Sequence, residues 1–477
     1  MSEPKVKKIA LMASYDWTLR KAMAEFLEFI KPVIRWKRKQ YTLELTRIIA
    51  KPLVTGEDLS HEADLIVDRT THWNAFYRYW AHQAVNSQAR MVNHSYTFSV
   101  YDKHSTYDLM ARAIHPADRF PKTVLLPQFQ PWTEDQIKQH WWKEEQQLLI
   151  ENTEYGFDPK RRRTDLATVK QKLDDAIRYD KRSRNVRELF YYPGNYLKET
   201  IETIFENKFP LYLKKAYGGG GTKVWRIDNM EELWEKYDKT GDEAFHLQEG
   251  IEPYERFYRA MGIGPIVVPM IFQPDKPHHQ HYSPEKVAIE KEIFHRLESY
   301  VMFINSYHRW TYNSFECLRT GDQLHPIDFA NACPDSQFLS LHVHFPTVLC
   351  NLIKWLSFCA VTEKDMRIDL EMTKYLTVIN DPKIPGEEKF AFCRRMSEEY
   401  FEIDTFREYC ELNFKDIEQQ FIEFYDKKFD EIIRFAVEYS NFPEREYDVF
   451  FDYYKNLMET IWRPNTDTYL KTVLFKD

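Results

Sequence analysis

Four consecutive glycines, Gly218 to Gly221, stand in a 477-residue chain that has only 13 glycines in all. They separate two strand-like runs, PLYLKK and KVWRI, within FPLYLKKAYGGGGTKVWRI at 209–227. A loop without Cβ atoms between two strands can lay its backbone N–H groups over a polyphosphate. Lys214, at the end of the first strand, stands in reach of the same phosphates. The pattern is not a Walker A loop, because GxxxxGKS or GxxxxGKT does not fit and no helix follows at once. Taken alone, a glycine run between strands reads as a flexible hairpin, so its meaning depends on its surroundings.

Two later segments supply them. In AFHLQEGIEPYERF, 244–257, an apolar strand ends in Gln248, Glu249, Gly250 and Ile251, with Glu255 a short loop away. In SFECLRTGDQLHPIDFANACPDS, 314–336, one strand carries Glu316, a turn holds Gly321–Asp322, and a second strand ends in Asp328 and Asn331. Carboxylates in otherwise apolar strands are costly without a partner. Glu316, Asp328 and Asn331 are hard oxygen donors of the kind that bind Mg²⁺ jointly with phosphate.

Upstream, the chain alternates. KIALMAS, 8–14, reads as a strand feeding a helix from Asp16 or Thr18, with Leu19, Met23, Phe26, Leu27 and Ile30 at helical spacing. ADLIVDR, 63–69, is a second strand, followed by a helical pattern from Trp73 to Val85. ARMVNHSYTFSV, 89–100, is a third extended candidate, and a helix follows over 103–113. Strands alternating with helices predict an α/β fold with a mostly parallel sheet. No GxGxxG follows the first strand, so a dinucleotide fingerprint is absent. Residues 155–197, rich in Lys, Arg and Asp, read as solvated helices inserted in the second block. Residues 346–477 carry aromatics at i, i+3, i+4 spacing and read as almost wholly helical. The expected domains are 1–118, an α/β domain; 119–345, the glycine-loop region with its insert; and 346–477, a helical appendage.

With 43% hydrophobic and 29% charged residues, the chain is neither collagen-like nor disordered. A net charge of −8 argues against general nucleic-acid binding. The six cysteines form no CxxC pair, so a zinc knuckle or dithiol site has no support. The apolar run near the N-terminus is too short for a signal core, and Phe345–Val361 is interrupted by Asn351 and Lys354. The expected location is the cytoplasm, with free thiols and no membrane span.

The order of these parts resembles the ATP-grasp superfamily, including glutathione synthetase and the ribosomal-protein glutamate ligases. Asn93 after a strand, Asp102–Lys103 opening a helix, and Pro121–Lys122–Thr123 match its linking segment. The resemblance covers roughly residues 8–345. It implies that Lys103 and Lys214 contact ATP phosphates, and that Gly218, Gly219, Gly220 and Gly221 form a lid. It implies that Gln248, Glu249 and Ile251 meet adenine, and that Glu255 holds the ribose. It also implies that Glu316, Asp328 and Asn331 bind one or two Mg²⁺ ions. Two departures stand out. Two residues, Phe329 and Ala330, separate Asp328 from Asn331 where the family has one, which a bulge would absorb. Ser314 occupies the position where many members carry an Arg; Arg256, Arg259 or Arg309 would substitute, and Arg309 is the expected one.

The reaction implied is ATP-dependent ligation: a carboxylate becomes an acylphosphate that an amine or thiol attacks. Candidate bases are His308, His325 and Glu252. A small-molecule kinase acting on a hydroxyl is the second reading, and a non-catalytic scaffold working through the aromatic tail is the third. PHHQHY, 277–282, and LHVHF, 341–345, read as a solvated turn and as buried, hydrogen-bonded histidines respectively. A dimer formed through the tail is a further expectation.

Overall fold

The structure, a computed structural model, describes residues 3–13, 16–72, 74–99, 102–127, 197–216, 223–241, 243–285, 288–366, 368–472 and 474–475. The run Gly218–Gly221 and the charged segment 155–196 lie outside the described residues. The chain divides into two compact units. One comprises Met1–Tyr101, Asp108–Phe120 and Pro253–Asp477; the other comprises Asp102–Tyr107 and Pro121–Glu252.

The first unit begins with a five-stranded sheet. Its strands are β1 (Lys5–Ala13), β2 (Ile34–Trp36), β3 (Lys39–Arg47), β4 (Leu65–Arg69) and β5 (Met91–Val92), in the order β2-β3-β1-β4-β5. β1 runs parallel to β3 and β4, and β4 parallel to β5; only β2 is antiparallel. Helix α1 (Trp17–Ile30) follows β1, and α2 (Ala75–Asn86) follows β4. The parallel sheet expected from alternation is therefore present. The β2–β3 hairpin is not legible in the sequence. Its turn places Lys37 and Arg38 at φ 44° and 63°, a conformation usually given to Gly or Asn. The extended segment expected over 89–100 shrinks to β5 and gives way to helix α3 (Ser95–Ser99). There Thr97 Oγ1 donates to the His94 carbonyl and the Tyr96 amide donates to His94 Nδ1, so local side-chain bonds compete with the ladder.

Helix α4 (Lys103–Ala113) precedes the second unit's sheet: β6 (Thr123–Leu126), β7 (Leu211–Lys215), β8 (Val224–Ile227) and β9 (Phe245–Glu249), ordered β6-β9-β7-β8 and antiparallel throughout. One face carries Leu126, Leu211, Leu213, Ile227, Phe245 and Leu247. It buries them against Leu197 and Ile201 of α5 (Leu197–Thr203) and Leu233 and Tyr237 of α6 (Met230–Tyr237). Asn229 caps α6 by accepting from the Glu232 amide at 2.9 Å.

The first unit's other sheet has β10 (Arg256–Ile263), β11 (Ile266–Ile271), β12 (Tyr312–Thr320) and β13 (Gln323–Asn331), ordered β11-β10-β12-β13 and antiparallel. The buried helix α7 (Lys291–His308) packs against it. The β10–β11 turn holds Gly264 at φ 53°, where a Cβ would come 2.2 Å from the Trp355 ring; only glycine fits that approach.

The tail forms α8 (Phe345–Thr362), α9 (Met372–Ile379), α10 (Gly386–Phe401), α11 (Ile403–Asn413), α12 (Ile417–Glu438) and α13 (Tyr447–Leu457). The segment Phe338–Thr362 is long and apolar enough to cross a membrane, but its apolar window is 94% buried inside the fold. The division differs from the one expected between 1–118 and 346–477, because the tail packs on the N-terminal sheet. Phe26 meets Phe421 and Phe424 at 5.1 and 5.2 Å, contacts worth about 0.5–1.5 kcal/mol each beyond burial. Lys7 joins Asp64 at 2.8 Å to Glu363 at 2.9 Å. The tail's aromatic stripe thus spends much of its surface within the chain.

Candidate functional site

In the first unit, strand register decides which side chains share a face. Arg259, Glu316 and Asp328 lie opposite one another on β10, β12 and β13, and Met261, Ser314 and Asn331 form the next row. Two steps along β12, from Glu316 to Ser314, match three along β13, from Asp328 to Asn331. The extra residue is a β-bulge. It keeps Asn331 on the face of Glu316 and Asp328, where an unbulged strand would turn it away. Phe315 and Phe329 point into the core between them, stacked at 5.5 Å. Among the described residues, no group of three or more His, Cys, Asp or Glu is arranged to hold a metal. The set here is two carboxylates and one amide, which suits a hard cation whose remaining positions come from phosphate and water.

Arg259 pairs with Glu316, donates to Tyr282 Oη at 3.3 Å, and lies 4.0 Å over the Phe272 ring. Burial works against its charge, but Glu316 and Tyr282 outweigh it and raise its pKa. Burial likewise pushes the Tyr282 phenol up, so it stays protonated. The other two arginines lie elsewhere. Arg309, 2% exposed, caps α7 at φ 58° and donates to the Asp369 and Ser306 carbonyls and to Glu371. This is a buried clamp within the fold; of the three arginines, Arg259 is the one paired with Glu316. Arg256 alternates to the opposite face from Arg259 and donates to the Glu255 carbonyl at 3.4 Å. Glu255 accepts from the Gly321 amide at 2.8 Å, which fixes the β12–β13 turn.

In the second unit, the sheet face away from α5 and α6 carries two polar rows. Lys214 is flanked by Val224 and His246; Tyr212 is flanked by Arg226 and Gln248. Gln248 donates to Thr123 Oγ1 at 2.8 Å. His246 stacks on His104, with Nε2 3.3 Å from His104 Nδ1, and lies 4.9 Å from the Tyr107 ring. Half-buried Lys103 starts α4 beside them, where Asp102 accepts from the Ser105 amide at 2.7 Å. Glu249 and Lys122 exchange backbone and side-chain bonds at 2.9 and 3.2 Å, and Ile251 is buried. Lys214, Lys103, Gln248 and His246 thus belong to one unit.

Glu252 binds Arg226 and accepts from Tyr212. Arg226 holds its carboxyl below the usual range, against some burial, which makes it a poor base. His325 bonds Thr320 Oγ1 at 2.8 Å and the Arg119 carbonyl, and His308 stacks on Trp310 at 4.5 Å; both are buried structural rings. His342 and His344 bond the Tyr282 and Ser283 carbonyls at 2.8 Å each, in agreement with the buried reading. Burial pushes the Cys333 thiol up to about 12, so it is not a thiolate nucleophile.

The tertiary partners of two residues that the sequence places at element ends were not legible from spacing. The Asn93 side-chain amide donates to the Tyr312 and Ala332 carbonyls at 2.5 and 2.7 Å and accepts from the Thr311 and Tyr312 amides, locking the ends of β12 and β13 to β5. Asp16 does not cap α1 through its side chain; it binds Arg69 at 2.5 Å and Gln337 at 3.0 Å. A signal was available: Asp16 and Arg69 stand at the carboxyl ends of adjacent parallel strands, where open sheets bind ligands.

No family model matches the chain, and no curated protein matches it. Solved structures do. The chain is similar to a RimK domain ATP-grasp protein from Sphaerobacter thermophilus, at 14% identity and TM-score 0.39, over 69% of this chain and 92% of that one. It is similar to D-alanine–D-alanine ligase from Bacillus anthracis complexed with ATP, at 9% identity and TM-score 0.41, over 75% and 100%. It is also similar to VanG D-Ala:D-Ser ligase from Enterococcus faecalis, at 12% identity and TM-score 0.40, over 74% and 95%.

Proposed function

We propose that the chain is an ATP-grasp ligase that uses Mg-ATP to activate a carboxylate as an acylphosphate for attack by an amine or thiol. The observation that carries this reading is the β12–β13 bulge, which sets Asn331 beside Glu316 and Asp328 despite the two-residue gap. These three would hold Mg²⁺, which supplies charge neutralisation at the transferring phosphoryl group. Lys103 and Lys214 would contact the phosphates, under Gly218–Gly221. Gln248, Glu249 and Ile251 would meet the adenine. Arg259 takes the role first expected of Arg309, steadying the substrate carboxylate beside Glu316. The substrate carboxylate oxygen bonds to the γ-phosphorus as ADP leaves; the amine then bonds to the carbonyl carbon as phosphate leaves. The protein's share is positioning and electrostatic stabilisation.

The test is Mg²⁺-dependent phosphate release from ATP across pools of small acids, amines and polyols. Release requiring both an acid and an amine or thiol is expected. A stable phosphorylated polyol with no amine requirement would favour a kinase, a reading that Ser314 at the family's arginine position supports. No nucleotide binding at millimolar Mg-ATP would leave the scaffold reading.

A further inference from the structure

A buried guanidinium has one edge that the proposed reaction does not use. Arg69 ends β4 and is 2% exposed. Its Nε donates to Asp16 and its Nη2 to the Pro334 carbonyl, both at 2.5 Å. Its Nη1 is buried and has no hydrogen-bond partner. A buried charged donor left unsatisfied is destabilising, so such a group calls for a partner. Arg259 repeats the pattern: Glu316 and Tyr282 take its two terminal nitrogens, and its buried Nε has no partner.

Both arginines belong to the first unit, and the turn 333–337 links their surroundings. Pro334 and Gln337 close on the Arg69–Asp16 pair. Asp335 acts electrostatically on Cys333, which neighbours Arg69, and on Tyr282, which binds Arg259. The Arg69 end lies where β3 and β4 flank β1, the point at which strand order reverses. Open α/β sheets take ligands outside the carboxyl ends of strands at such a point.

We infer that the substrate is a small dicarboxylate, whose reacting carboxylate is held by Arg259 and whose second carboxylate is held by Nη1 of Arg69. Which end reacts rests on the proposed ligase chemistry; recognition of two acids rests on the two arginines alone. A planar carboxylate matches a guanidinium edge. Asp16 already offsets part of the Arg69 charge, so a monoanionic group balances it better than a phosphate dianion.

Calorimetry on the full chain, with succinate, glutarate, butyrate and inorganic phosphate as probes, tests this. A dicarboxylate should bind at least about tenfold tighter than butyrate, equivalent to about 1.4 kcal/mol. Arg69→Lys keeps a cation for Asp16 but removes the unused edge, and should erase that preference while ATP binding stays unchanged. Butyrate binding as tightly as the dicarboxylates, phosphate binding tighter than both, or an intact preference in Arg69→Lys overturns the inference. Where Arg69→Lys does not fold, Asp16→Asn decides: removing the competing carboxylate should tighten dicarboxylate binding, and unchanged or weaker binding overturns it. Loss of ATP binding with the dicarboxylate preference intact would sink the ligase reading and leave this subsite standing.

Discussion

The four-stranded sheet of the second unit packs Leu211, Leu213, Phe245 and Leu247 on helices and turns Tyr212, Lys214 and Gln248 to its other face. The sheet β10–β13 of the first unit is largely buried on both faces, yet carries Arg259, Glu316 and Asp328 in one row. In the first arrangement Tyr212 and Lys214 keep part of their surface in solvent, and buried Gln248 is satisfied by donating to Thr123 Oγ1. The second requires each charge to have a partner, so Glu316 is paired with Arg259 and the fold around it is specified more narrowly. Substitutions in the two sheets should therefore differ: activity without stability in one, both together in the other.

The largest expected effect is in the half-buried sheet. Lys214→Ala should lower Mg-ATP-dependent phosphate release by about 10²-fold or more, with an unchanged melting temperature, since on the proposed reading its cation acts on the transition state. Near-normal turnover would remove Lys214 from the site. In the buried sheet, Glu316→Gln should cost both: activity falls, and stability drops by about 3 kcal/mol because Arg259 is left uncompensated. A melting curve matching the unsubstituted chain would break the contrast between the sheets. Inserting an alanine after Ala330 should abolish Mg²⁺-dependent release, because one more residue turns Asn331 off the shared face; retained release would show that Asn331 is no ligand. Arg309→Ala should destabilise by about 3 kcal/mol in a thermal or urea melt, with little change in substrate KM, as befits a clamp on Glu371.

The smallest effect is on pH dependence. Burial lowers His72 and His342 to about 3 and His94 to about 4. Unfolding exposes rings that titrate near pH 6.5, so below that pH the unfolded chain binds more protons than the folded one. Stability from these groups is therefore intact above about pH 6.5 and declines as pH falls towards 4. Melting temperatures measured at pH 7.5 and 5.5 should show the drop, and His342→Gln should shrink it.

Alternation of strand and helix, the apolar core runs and the acid-and-amide pattern of 314–336 were all legible, because each depends on spacing along the chain. The β2–β3 hairpin was not, since Lys37 and Arg38 occupy a turn that their residue types disfavour. The tail's helices were legible, but their partners were not: a stripe such as Phe421 and Phe424 shows that a face is buried without showing what it meets.

By itself, the order of residues determined the parallel sheet, the strands around the glycine run and the set of oxygen donors. Only tertiary structure decided which of three arginines stands beside Glu316, and that Asn331 shares its face. Register and burial settle such questions. They arise from hydrogen bonds and packing between segments far apart in the chain, to which local spacing is blind.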